Sequence, residues 1–172
     1  MLTFEEMYET YAFDVYKFAL LLSGDKDEAE DITSETFVRA WTSNSPIRTV
    51  TLKAYLFTIA RNLFLEQQRK RKRQVTLHDI HADPAPSPER IADSKFELRR
   101  IHGFLQVLAE SDRAALILRA QNELPYAEIA RVLDISLSAA KVKVHRARKK
   151  ILDALAVGAV EDKPLVKEEM DK

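Results

Sequence analysis

Two groups of basic side chains have the type and spacing to do chemistry, and that chemistry is the neutralisation of phosphate. Arg69, Lys70, Arg71, Lys72 and Arg73 form an unbroken run. Lys141, Lys143, Arg146, Arg148, Lys149 and Lys150 form a second cluster, interleaved with His145. Guanidinium and ammonium groups gathered in this way read as the footprint of a nucleic acid. Catalytic arrangements are missing: there is no phosphate-cradling glycine loop, no nucleophile elbow and no metal-ligand helix. The chain has no cysteine, which excludes disulfides, thiolate metal sites and thiol chemistry. His78 and His81 stand three apart beside Asp79 and Asp83. They sit where no helix fixes their geometry and no further ligand cluster is near, so no metal is assigned to them. The reading is of a protein that is not an enzyme and needs no cofactor, with any catalysis left to a partner.

The 172 residues carry 27 basic and 27 acidic side chains, a net charge of zero. A purely electrostatic DNA binder would be basic overall, but here the charge is segregated. Acidic residues concentrate between Asp25 and Glu35, between Asp79 and Glu97, and after Glu161. Separate surfaces for separate partners follow. A hydrophobic content of 46% supplies packed cores, while only three glycines and an abundance of Ala, Leu, Glu, Lys and Arg favour helices. The N-terminus is acidic rather than basic, and the apolar run Phe18 to Leu22 is far below the roughly 20 residues needed to span a bilayer. A soluble, cytoplasmic chain without membrane insertion is expected.

The elements that must position the basic groups are helices. Phe4, Met7, Tyr8, Tyr11, Val15, Phe18 and Leu22 recur at steps of three and four, the stripe of an amphipathic helix that Ser23-Gly24-Asp25 ends. A second helix runs from about Asp27 to Trp41, capped by Asp25 or Asp27, with Ala29, Ile32, Thr36, Phe37, Ala40 and Trp41 inward. Glu28, Asp31, Glu35 and Arg39 fall on another of its faces. After a loop marked by Ser43-Asn44-Ser45-Pro46, a third helix spans about Leu52 to Arg69 and fades into the basic run. Residues 74–93, with Asp83-Pro84-Ala85-Pro86-Ser87-Pro88, read as a flexible acidic linker between two small helical domains, 1–73 and 94–158. The second domain opens with a helix using Phe96, Ile101, Phe104, Leu105 and Leu108, then a shorter one capped by Ser111 and carrying Ala115, Leu116 and Leu118. Residues 159–172 read as a disordered acidic tail.

Tyr126 to Leu155 fit a helix-turn-helix. The first helix buries Ile129, Ala130 and Leu133. Asp134-Ile135-Ser136 connects, and Ser136 caps the second helix, which buries Ala140, Val144, Ala147, Ile151 and Leu155 and ends near Gly158. Its outer face carries Lys141, Lys143, His145, Arg146, Arg148 and Lys149. Such a helix puts its N-terminal turns, here with Ser136 and Ser138, into the major groove and its later basic residues on phosphates.

Taken in order, four stretches resemble the extracytoplasmic-function (ECF) sigma factors of RNA polymerase. Glu30 to Trp41 is similar to their polymerase-binding helix, and Lys53 to Leu63 to their promoter-melting helix. Leu124 to Ala130 and Val144 to Lys150 resemble their C-terminal DNA reader. The resemblance implies that Asp31, Glu35 and Arg39 dock on core RNA polymerase. It implies that Arg48, Lys53, Tyr55, Arg61 and Asn62 meet an unstacked base of the −10 element, with Arg69 and Arg71 on the backbone. The helix from Leu137 would read the −35 element of promoter DNA, the acidic linker would follow the RNA exit path, and an anti-sigma factor would be a partner. Ser34 replaces a frequent glutamine, Ala139 and Ala140 a threonine and a valine, and Asp134 a glycine. The alternative readings are a stand-alone dimeric helix-turn-helix regulator and a protein-interaction adaptor without DNA contact.

Overall fold

A computed structural model describes the backbone of residues 1–44, 51–77 and 93–161, and the side chains of all of these but 76–77, 93–98 and 158–161. Every regular element among them is an α-helix. α1 (Phe4–Ser23) opens with a capping box: Thr3 Oγ1 accepts from the Glu6 amide at 3.2 Å, and Glu6 Oε2 accepts from the Thr3 amide at 2.8 Å. It ends at Gly24, whose φ of 71° is left-handed and whose amide donates to the Leu20 carbonyl. Asp25, and not Asp27, caps α2 (Lys26–Thr42), accepting from the Glu28 amide at 2.9 Å. α3 (Leu52–Leu77) crosses both. Val15, Phe18, Leu22, Ile32, Phe37, Leu56 and Phe57 are buried between the three, with the rings of Phe18 and Phe57 edge to face at 5.1 Å. Each such side chain contributes about 1.5–3 kcal/mol by leaving water.

The second module is α4 (Asp93–Gln106), α5 (Glu110–Ala120), α6 (Tyr126–Leu133) and α7 (Leu137–Glu161). Leu118, Ile129, Ala140, Val144 and Ala147 form its dry centre. The two-domain, all-helical expectation agrees with this, but four local readings change. α3 does not fade at the basic run. Its straight-chain residues are good helix formers, and Lys70 and Arg71 find carboxylates in Glu66 and Glu28. α7 passes through Gly158, since a glycine inside a helix costs only about 1 kcal/mol against alanine. Ser111 is no cap: Ala109 holds that position without a side-chain bond, and Ser111 lies inside α5. Tyr8 and Trp41 are exposed, joining Phe4 in an aromatic cluster along the outer edge of the α1–α2 pair.

The larger change is in how the modules sit. α1 packs against α4 and α5, and α3 packs against α6, so the two are docked on one another. The residues expected to form most of the −10 loop (45–50, with Arg48), most of the linker (78–92, with His78 and His81) and most of the tail (162–172) lie outside the described residues, as does the side chain of Phe96. Among the described residues no helix is long and apolar enough to cross a membrane.

Candidate nucleic-acid interface

The helix-turn-helix is built around one backbone device. Asp134 ends α6 with φ 54°, ψ 52°, and its amide returns to the last turn of α6. Aspartate is among the few non-glycine residues that visit this conformation, which accounts for the residue in a position where glycine is common. The Ile135 amide then reaches the Ala130 carbonyl at 2.9 Å, and Ser136 Oγ accepts from the Ala139 amide at 3.1 Å, starting α7. Ser136 and Ser138 are exposed on its first turn. Ala140, Val144 and Ala147 each have 0% exposure, while Lys141, His145, Arg146, Arg148 and Lys149 stand outward. The expected division of α7 into an apolar and a basic face holds. Ile151 is half-buried and Leu155 exposed, lining an open apolar groove with Ile101, Phe104, Leu105 and Leu116.

Two of the basic residues are already engaged. Arg146 forks onto Asp112 of α5, Nε to Oδ2 and Nη2 to Oδ1, both at 2.9 Å. Lys143 Nζ reaches Ser111 Oγ at 3.0 Å and Asp112 Oδ1 at 3.5 Å. Asp112 is buried, and the guanidinium bonded to it holds its carboxyl below the usual carboxylate range despite that burial. One carboxylate thus fixes the seat of α7 on α5 and cancels one of two positive charges. Asp112 was absent from the sequence reading, although it stands three and four residues before Ala115 and Leu116, on the inward side of α5.

The α3 candidates separate. Asn62 and Arg69 are exposed and Tyr55 is half-buried. Lys53 Nζ lies 3.0 Å from Asp14 Oδ2, and Arg71 Nη2 lies 2.9 Å from Glu28 Oε2. Arg61 is turned toward the second module, where its Nε and Nη2 donate to the two carboxylate oxygens of Glu110 at 2.9 Å each. Glu28 departs from the face assigned to it: it is buried between α2 and α3, and desolvation raises its pKa, opposed by Arg71.

Asp31, Glu35 and Arg39 remain together and exposed. Arg39 bonds Glu35 at 2.8 Å and approaches Glu66 of α3 at 3.5 Å, beside an open hollow of about 460 Å³ that Val38, Leu63 and Lys70 help to line. Glu66 was missed, because only tertiary packing brings α3 beside α2. Among the described residues no cluster of His, Asp and Glu could hold a metal ion.

The Sigma-70 region 2 family matches residues 7–74, and the Sigma-70 region 4 family matches residues 98–151. The chain is 34% identical over 155 residues to the ECF RNA polymerase sigma factor SigM of Bacillus subtilis, covering 87% of this chain and 93% of that one. It is 36% identical over 148 residues to the ECF RNA polymerase sigma factor EcfG of Rhodopseudomonas palustris, covering 84% and 81%. Among solved structures it is similar to the sigma factor RpoE from Bartonella quintana in complex with the anti-sigma factor NepR. That likeness has a TM-score of 0.73 at 30% identity over 90% of this chain and 97% of the other.

Proposed function

The chain belongs to the ECF sigma factors of RNA polymerase, and from that membership we propose how its surfaces divide the work of starting transcription. It is an alternative sigma factor, which binds core polymerase and directs it to promoter DNA.

Asp31, Glu35 and Arg39 dock on the core enzyme. Tyr55, Arg61, Asn62, Lys53 and Arg48 take the opened −10 strand, with Arg69 and Arg71 on its phosphates. The first turn of α7, with Ser136 and Ser138, enters the major groove of the −35 element, and Lys141, His145, Arg148 and Lys149 meet its backbone. Lys143 and Arg146 contribute to the same face while anchored on Asp112, so their first duty is to set the helix and their second is to supply charge. The segment between the end of α3 at Leu77 and the start of α4 at Asp93 joins the two modules as a linker, and the residues after α7 follow as a tail, each shorter than the 74–93 and 159–172 expected because the flanking helices run on. The RpoE structure, solved with an anti-sigma factor, supports assigning a protein of that class as a further partner.

The observation that carries this reading is the two-sidedness of α7: an inner row without solvent exposure and an outer row of cations in open water, started by a serine cap. The test is promoter-specific transcription by core enzyme supplied with the purified chain. Replacing Lys141, Arg148 and Lys149 together with alanine is expected to abolish it while core binding stays unchanged. Loss of core binding in that variant would refute the division of surfaces.

A further inference from the structure

The apolar stripe of α7 runs on past the core it serves. Ala140, Val144 and Ala147 are covered by α5 and α6, and further steps of four carry the stripe to Ile151 and Leu155. There the cover thins: Ile151 is half-buried and Leu155 is 41% exposed. With Ile101, Phe104 and Leu105 of α4 and Leu116 of α5, these two line an open groove of about 390 Å³. Arg100 stands at its rim, exposed, and pairs with no carboxylate among the described residues; the same holds for its neighbour Arg99. A contiguous apolar surface rimmed by polar groups marks a place where something binds.

The occupant must be apolar, with carboxylates between its anchors to meet the rim. The chain carries such a segment directly after α7, which runs to Glu161. In residues 162–172 the apolar anchors are Leu165, Val166 and Met170, and Glu168 and Glu169 stand between the last two. Pro164 precedes them, and proline cannot continue a helix, so the chain leaves the axis of α7 before the anchors are reached. The lengths agree. Leu155 lies six residues before Glu161, about 9 Å of helix. Leu165 follows Glu161 by four residues, up to about 14 Å of extended chain, and Met170 by nine, up to about 30 Å. Ile151, about 15 Å back along α7, is within that reach.

We propose that residues 162–172 turn back along α7 and seat Leu165, Val166 and Met170 in this groove, with Glu168 and Glu169 on Arg99 and Arg100. The seat lies on the apolar side of α7, so the outer row of Lys141, His145, Arg148 and Lys149 stays in water. A short tether holds the segment at an effective concentration of about millimolar, which any other ligand of the groove must overcome. The seat does not depend on the sigma reading.

The test places a nitroxide on the segment of the full chain through Lys172→Cys; the chain has no other cysteine to take the label. Methyl NMR signals are compared before and after the nitroxide is reduced. Without a seat, 11 flexible residues span about 18 Å and sweep every side of α7 alike, so Leu152 and Leu155 would broaden equally. Against that even spread, seating is expected to broaden Ile151 and Leu155 about threefold more than Leu152, which is 65% exposed and outside the groove. Leu165→Glu with Val166→Glu removes two anchors without touching the folded modules and should make the broadening equal. Equal broadening in the chain with its anchors intact overturns the seat, and so does a contrast that survives their replacement. Mixing isotope-labelled chain without nitroxide and unlabelled chain with it is expected to show no broadening. Broadening at Leu155 in that mixture means that a second copy's segment fills the groove, which overturns the intramolecular seat.

Discussion

Asp112→Ala isolates the carboxylate on which the reading helix is seated. Asp112 is 1% exposed and accepts two charge-assisted bonds at 2.9 Å and a longer one at 3.5 Å. Removing one member of a fully buried ion pair costs about 3–5 kcal/mol, because the abandoned charge stays in the dry interior. Here the abandoned charges are not trapped: the Arg146 side chain is 50% exposed and that of Lys143 is 20% exposed, so both can turn to water. The loss at Asp112 is therefore placed lower, at about 2–3 kcal/mol, the value of hydrogen bonds to a buried charged group. Urea unfolding at pH 7.5 reads it directly. A second signature follows from the lowered pKa. A carboxyl whose folded value is depressed contributes stability that is present above its unfolded value, about 3.9, and is lost as pH falls through the folded one. The wild-type and variant stabilities should therefore converge only in strong acid, below pH 4. A difference under about 0.5 kcal/mol at pH 7.5, or one that ignores pH to the acid limit, would refute the seating role.

Three further outcomes are expected. Gly24→Ala places a side chain at φ 71° and against His102; the left-handed conformation alone costs about 1–2 kcal/mol, lowering Tm by about 2–8 °C. Adding His102→Ala should recover only the part due to collision, and full recovery would show that the backbone is unstrained. Glu28→Gln is expected to leave stability at pH 7.5 equal or higher, because a raised folded pKa means that the ionised form bears a cost which disappears at low pH; a large loss of Tm at pH 7.5 would mean that the Arg71 pair outweighs desolvation. Asp31→Arg with Glu35→Arg should weaken core binding at least tenfold with the fold intact by circular dichroism, and unchanged affinity would remove this face from the polymerase interface.

Much of the molecule was legible in its residues because the signals are local. The stripe from Met7 to Leu22, the Gly24 stop, the Asp25 and Ser136 caps and the inner row Ala140, Val144, Ala147 are all properties of one turn or one helix, and the helical period carries them. The family resemblance rests on the same stretches, read in order. What a single helix cannot specify is the partner of a charged side chain. Arg61 looks like a nucleic-acid contact, and so do Arg146 and Lys143, until Glu110 and Asp112 arrive from 49 and 34 residues away. Glu28 shares a surface period with Asp31 and Glu35, yet α3 covers it and Arg71 reaches it. The docking of the two modules is of the same kind. Local period and capping determine which helices form and which face is apolar, while ion pairing and desolvation depend on distances that exist only once the helices have packed.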